Sequence, residues 1–73
     1  MKITYDGIGD TLSILLSQAQ ISHAEEHGVV IINYDENGKP VEIEITNASK
    51  FLGEFLSTLV KAKAGEKQLE VIA

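Results

Sequence analysis

Gly28-Val29-Val30-Ile31-Ile32-Asn33-Tyr34-Asp35, then Glu36-Asn37-Gly38-Lys39-Pro40, then Val41-Glu42-Ile43-Glu44-Ile45 is the stretch that decides the fold. Two β-rich runs flank Asn37-Gly38, a strong hairpin signal because both residue types tolerate positive φ. In the second run Val41, Ile43 and Ile45 point one way and Glu42 and Glu44 the other, the mark of a half-buried strand. The first run is apolar on both sides. Val29 and Ile31 fall on one face, and Val30, Ile32 and Tyr34 on the other. A strand of that kind needs cover on both faces.

Working toward the N-terminus, Lys2-Ile3-Thr4-Tyr5 alternates and runs into Asp6-Gly7-Ile8-Gly9-Asp10, a two-glycine turn. Gly7-Ile8-Gly9 lacks the third glycine and the long βαβ unit of a phosphate loop, so it reads as a hairpin turn. Thr11 to Ser17 is the next strand, with Leu12, Ile14 and Leu16 on one face. Gln18 to His27 contains helix-favouring Ala, Gln and Glu. Gly28 would end such a helix directly inside a strand, which favours a turn and a solvent-edge continuation of the third strand. The four strands are therefore expected near residues 2–5, 11–17, 28–35 and 40–46.

Toward the C-terminus, Asn47 or Ser49 can cap a helix running to about Ala64. Gly65 suits the position after its end, and Lys61 and Lys63 suit the negative pole of its dipole. Gln68 to Ile72 alternates again and reads as a short edge strand. The expected fold is α+β: a four-stranded antiparallel β-meander with one C-terminal helix packed on the sheet. The whole of residues 1–73 reads as one domain, with sheet 1–46, helix about 48–64 and tail 65–73.

A chain of 73 residues buries only about 60% of the surface its unfolded form exposes. Small domains of this size lean on disulfides, a metal or oligomerisation. Cysteine is absent, which removes disulfides and thiolate zinc sites and leaves oligomerisation as the expected support. Eleven acids against six bases give a net charge of −5, and every base is Lys. Without Arg there is no fork for bidentate recognition of phosphate or guanine, so nucleic acid is not an expected partner. The charge is uneven, since residues 1–46 carry eight acids against Lys2 and Lys39. No signal-peptide pattern and no apolar run of membrane-spanning length is present, so the expected setting is cytoplasmic with no membrane partner.

His23-Ala24-Glu25-Glu26-His27 fits the inverted zinc-peptidase pattern His-x-x-Glu-His. That chemistry needs both rings on one helical turn and a third ligand from elsewhere. On a strand the two rings stand roughly 13 Å apart, too far for one metal. A metal-dependent enzyme or metal-binding factor using His23, His27 and the acidic turns is thus the secondary reading. Asp6, Asp10 and Asp35 are expected to cap their own turns and Glu44 to face solvent. No serine has a readable base beside it. No catalytic residue, cofactor site or metal site is assigned.

The order Met1-Lys2-Ile3-x-Tyr5-Asp6, Asp10-x-Leu12-x-Ile14, Gly28-Val29 with Tyr34-Asp35, Asn37-Gly38, Ile43-Glu44-Ile45 and Ala48-Ser49-Lys50 resembles a family of small uncharacterised prokaryotic proteins. This is the domain-of-unknown-function family twenty-two eighty-three. The resemblance covers about two-thirds of the chain by its ordered motifs and implies a small antiparallel sheet with a helix. It brings no catalytic residues. It implies an interaction role, since some members look like partners of small toxin-like proteins. Gly7-Ile8-Gly9 departs from the Pro- and Glu-bearing turn usual after Tyr-Asp, and Lys61 to Ala73 lies outside the match.

The helix carries the sharpest expectation. With Phe51 at 0° and about 100° per residue, Phe55, Leu59, Leu52, Leu56 and Val60 spread over about 180°. One sheet needs an apolar stripe of only a little over 100°. The expected function is a non-catalytic interaction protein that forms a homodimer or higher homo-oligomer and binds a protein partner. Its expected interface is Val29, Ile31, Leu52, Leu56, Leu59 and Val60.

Overall fold

The structure is a computed structural model, and it describes residues 1–65. Five strands precede one helix: β1 Lys2–Asp6, β2 Thr11–Leu15, β3 His23–His27, β4 Val30–Tyr34, β5 Pro40–Ile45 and α1 Ala48–Ala64. All strand pairs are antiparallel, in the order β1-β2-β5-β4-β3. The fold is α+β. The short strand expected at residues 68–72 lies outside the described residues.

The four expected strands are present, and two details of the expected meander change. The first is a fifth strand. His23–His27 is not an extension of the third strand but a separate edge strand, folded back on β4 with His27 opposite Val30. Gly28 makes the reversal possible with φ 62°, as the first central position of a type II′ turn requires. Val29 takes the second central position and so belongs to the turn, not to a strand.

The second change is the order. β5, last in sequence, lies between β2 and β4, so the path is not a simple meander. The linker from Leu16 to Ser22 must cross the end of the sheet to reach the far edge. Between Asn33 and Tyr34 the register slips: Asn33 faces Glu42, whereas Tyr34 faces Pro40. Val41 is the extra residue of this bulge, and its carbonyl accepts hydrogen bonds from the amides of Leu16 (2.8 Å) and Ser17 (3.3 Å). Those bonds turn the chain out of β2 at Leu15, two residues before the expected end. Val41 is also the most deeply buried large side chain, at 1% exposure.

The Asn37-Gly38 signal produces a hairpin, but only Gly38 takes positive φ, at 79°. The Asp35 carboxylate accepts the amides of Asn37 and Lys39, both at 2.9 Å, and the Gly38 amide donates to the Asp35 carbonyl. Gly38 therefore stands as the left-handed residue after an ordinary turn, the longer of the common hairpin connections.

The helix is capped from elsewhere. Asn47 has φ 48° and its side chain makes no cap. Asp10 does the work across 39 positions of sequence: its Oδ1 accepts the Ser49 amide at 3.0 Å and its Oδ2 the Ser49 hydroxyl at 2.8 Å. The Ala48 amide donates to the Asp10 carbonyl. This ties the β1–β2 turn to the first turn of α1, so the helix direction is set by the sheet.

Candidate functional site

Register assigns every strand residue to a face, because side chains alternate. One face carries Ile3 and Tyr5 of β1, Leu12 and Ile14 of β2, Ile43 and Ile45 of β5, and Val30 and Ile32 of β4. The other carries Thr4, Ser13, Glu42, Glu44 and Asn33. The sheet is amphipathic over β1, β2, β5 and β4, with Leu15 and Ile31 as apolar residues on the polar side, whereas β3 places His23, Glu25 and His27 on the apolar side.

The apolar face is incompletely covered. Among the described residues, only Val41, Ile45 and Ala48 are buried apolar side chains. Ile43 stands at the centre of the sheet between Ile14 and Ile32, yet all three are half-buried. Toward the β1 edge exposure rises to 59% at Ile3 and 55% at Tyr5. On α1, Phe51, Leu52 and Phe55 are half-buried, whereas Leu56, Leu59 and Val60 are exposed. Those three occupy the flank of the helical arc beyond Ala48, Phe51 and Phe55, as the 100° step places them.

The six residues expected at an interface are thus divided. Leu52, Leu56, Leu59 and Val60 do form a continuous apolar flank on α1. Val29 and Ile31 do not share a face. Val29 is in the β3–β4 turn, where its carbonyl accepts the Thr46 amide (2.9 Å) and hydroxyl (3.2 Å). Ile31 is half-buried on the polar face, opposite Glu26 and Glu44. The apolar row of the sheet runs on the side of Val30 and Ile32, and Ile31 stands on the other side among polar neighbours. Ile3, Ile14, Ile32 and Ile43 were legible as apolar positions, but alternation alone does not say which face stays open.

The histidines sit on the exposed edge strand. The His23 ring stacks on Tyr34 with centroids 5.2 Å apart. Glu25 Oε2 lies 3.3 Å from His27 Nε2 and 3.4 Å from the Tyr34 hydroxyl, which donates to it. Partial burial and then the Glu25 charge push the Tyr34 hydroxyl above the usual tyrosine range. These groups line the β3 border of the apolar face. Among the described residues, no three His, Asp or Glu side chains gather into a group that could hold a metal ion.

The acidic candidates take structural posts. Asp6 accepts the Ile8 amide at 3.0 Å, and its Oδ2 would stand 2.8 Å from any Cβ at position 9, so Gly9 cannot bear a side chain without displacing it. Asp10 accepts the Tyr5 hydroxyl at 2.7 Å in addition to its bonds with Ser49. The hydrogen bond from Tyr5, then those from Ser49, hold the Asp10 carboxyl below the usual aspartate range. On the polar face the buried Asn33 amide donates to Glu42 (3.2 Å) and Glu44 (3.0 Å). A hydrogen bond with Glu44, then desolvation and the Glu44 charge, push Glu42 above the usual glutamate range, with Asn33 opposing. Asn33 was not singled out from the sequence, where one Asn in an apolar run carries no distinguishing signal.

A polar hollow of about 410 Å³ lies between the crossing linker at Ala19–Ser22 and the β4–β5 turn at Asp35–Asn37. The Asp35 oxygen nearest its own turn is already held by two amides. No helix of the described residues is long and apolar enough to cross a membrane.

Residues 2–49 match the family described as Protein of unknown function (DUF2283). The chain is also similar to Uncharacterized protein MJ0789 of Methanocaldococcus jannaschii, with 35% identity over 68 residues, covering 88% of this chain and 59% of that protein. The chain therefore spans a little under two thirds of that relative's length. No solved structure matches it. The chain belongs to the DUF2283 family.

Proposed function

We propose that this DUF2283 member is a cytoplasmic, non-catalytic interaction protein that self-associates and binds a protein partner. One observation carries the self-association: a single chain encloses only Val41, Ile45 and Ala48 among the apolar side chains of residues 1–65. Each large aliphatic side chain left in water forgoes about 1.5–3 kcal/mol of burial. A domain of this size has a total stability of only about 5 kcal/mol. Association that covers Ile14, Ile32 and Ile43 together with Leu52, Leu56, Leu59 and Val60 restores part of that missing core. Val29 and Ile31 take a lesser part in this reading because they lie off that surface. The binding of a protein partner rests on the family resemblance.

The test is the mass in solution. Sedimentation equilibrium across micromolar concentrations should give a multiple of the 7.9 kDa chain, and Val60→Glu should lower it, since Val60 is 67% exposed and its replacement costs little within one chain. A wild-type monomer at every concentration overturns the proposal.

A further inference from the structure

Among the described residues the sheet has two free edges, β1 and β3. A free edge presents unpaired amides and carbonyls that template another strand unless it is guarded. β3 is guarded: its sequence His23-Ala24-Glu25-Glu26-His27 has charge or imidazole at four of five positions. β1 is not: Lys2-Ile3-Thr4-Tyr5-Asp6 carries charge only at its ends and exposes Ile3 and Tyr5 at its centre.

We infer that β1 is the edge through which two copies of this chain pair, antiparallel about a two-fold axis at Thr4. The inference rests on the self-association proposed above and assigns a backbone contact to it, one that sets the two apolar faces side by side and leaves the covering of Ile14, Ile32 and Ile43 to other contacts. Facing residues of an antiparallel pair must share a face, so symmetric pairings can centre only on single residues. Centring on Thr4 engages all five residues of β1. It sets Lys2 against Asp6 of the second copy twice over, and Ile3 against Tyr5 twice over. Centring on Ile3 leaves Asp6 without a facing residue in the strand, and centring on Tyr5 leaves Lys2 without one. The same full-length pairing of β3 would set Glu25 against Glu25, and like charges directly opposite are destabilising. Charge complementarity thus selects one edge and one register.

The axis stands perpendicular to the sheet, so both apolar faces lie on the same side of a joined ten-strand sheet. Ile3 and Tyr5, the most open part of that face, become its middle. The Tyr5–Asp10–Ser49 hydrogen bonds start each helix beside this joint. The interface is isologous and closes as a dimer.

The chain has no cysteine, so one introduced thiol reports only on contact between copies. Across an antiparallel pair facing Cα atoms stand about 4.5–5.5 Å apart, within the span of a disulfide. Thr4→Cys should oxidise to a covalent dimer with unchanged far-ultraviolet dichroism, and Glu25→Cys, at the middle of β3, should not. Lys2→Glu should weaken the dimer about tenfold through two like-charged pairs, and Lys39→Glu should leave it unchanged. A dimeric wild type that cross-links through Glu25→Cys, or that is indifferent to Lys2→Glu and fails to cross-link through Thr4→Cys, overturns the edge assignment and leaves self-association standing. A wild type that stays monomeric overturns both. If Thr4→Cys fails to fold, the Lys2→Glu dissociation constant decides alone.

Discussion

The two faces of the sheet are built from the same strands and differ in how they satisfy themselves. On one face Ile14, Ile43 and Ile32 stand side by side across β2, β5 and β4 and need a covering surface to gain from burial. On the other, Asn33 bridges Glu42 and Glu44, and no large apolar row asks for cover. The polar face completes itself within one chain through hydrogen bonds. The apolar face cannot, because hydrophobic gain scales with area removed from water and one helix removes only part of it.

The largest break in this contrast is Ile45→Ala. Ile45 is one of the few enclosed side chains, at 8% exposure, and its truncation should lower the unfolding free energy by about 2–4 kcal/mol in urea titration. On the opposite face, Asn33→Ala removes the only described donor shared by the two carboxylates. A loss of about 1–3 kcal/mol at neutral pH is expected in the same titration. A milder change should have the opposite sign. Glu44→Gln keeps an acceptor for Asn33 and removes the charge beside Glu42, so stability at neutral pH should rise by about 0.5 kcal/mol.

The smallest effect is in the pH profile, and its sign differs for the two carboxylates. Glu42 is raised in the folded state, so the native protein holds that proton more tightly than the unfolded chain does. Stability should climb as pH falls from neutral into the upper glutamate range. Asp10 is lowered, so its contribution is present above the ordinary aspartate range and is lost as pH falls through its depressed value. Melting temperature followed from neutral to strongly acid pH should therefore pass through a maximum. Glu42→Gln should flatten the neutral side, and Asp10→Asn the acid side. A monotonic profile in the wild type would contradict the opposed shifts.

Most strands were legible because each has one apolar and one polar face, and alternation survives without knowledge of the partner. The run from Ala48 to Ala64 was legible for the equivalent reason at helical period. β3 was harder. His23 to His27 is polar on both faces, because an edge strand with solvent around it needs no apolar row, so periodicity is silent there. Gly28 is the available clue, a residue suited to a tight reversal, but the apolar run directly behind it makes it equally the first residue of a strand. A strand that begins at Val30 instead of Val29 keeps Ile31 on the face opposite Val30 and Ile32, so alternation sorts the two faces and is silent on which of them carries an interface.

By itself the sequence determined the period of each segment, the hairpin at Gly38, the absence of disulfide support and an excess of apolar helix surface. These are local or compositional properties, set by backbone sterics and side-chain chemistry within a few residues. Only the tertiary structure decided that β5 lies between β2 and β4, that Asp10 caps a helix 39 residues away, and that Ile14, Ile43 and Ile32 stand in one row across three strands. Each of these depends on contacts between segments distant in sequence. Their free energy is gained only when the sheet closes, so no single segment carries a record of them.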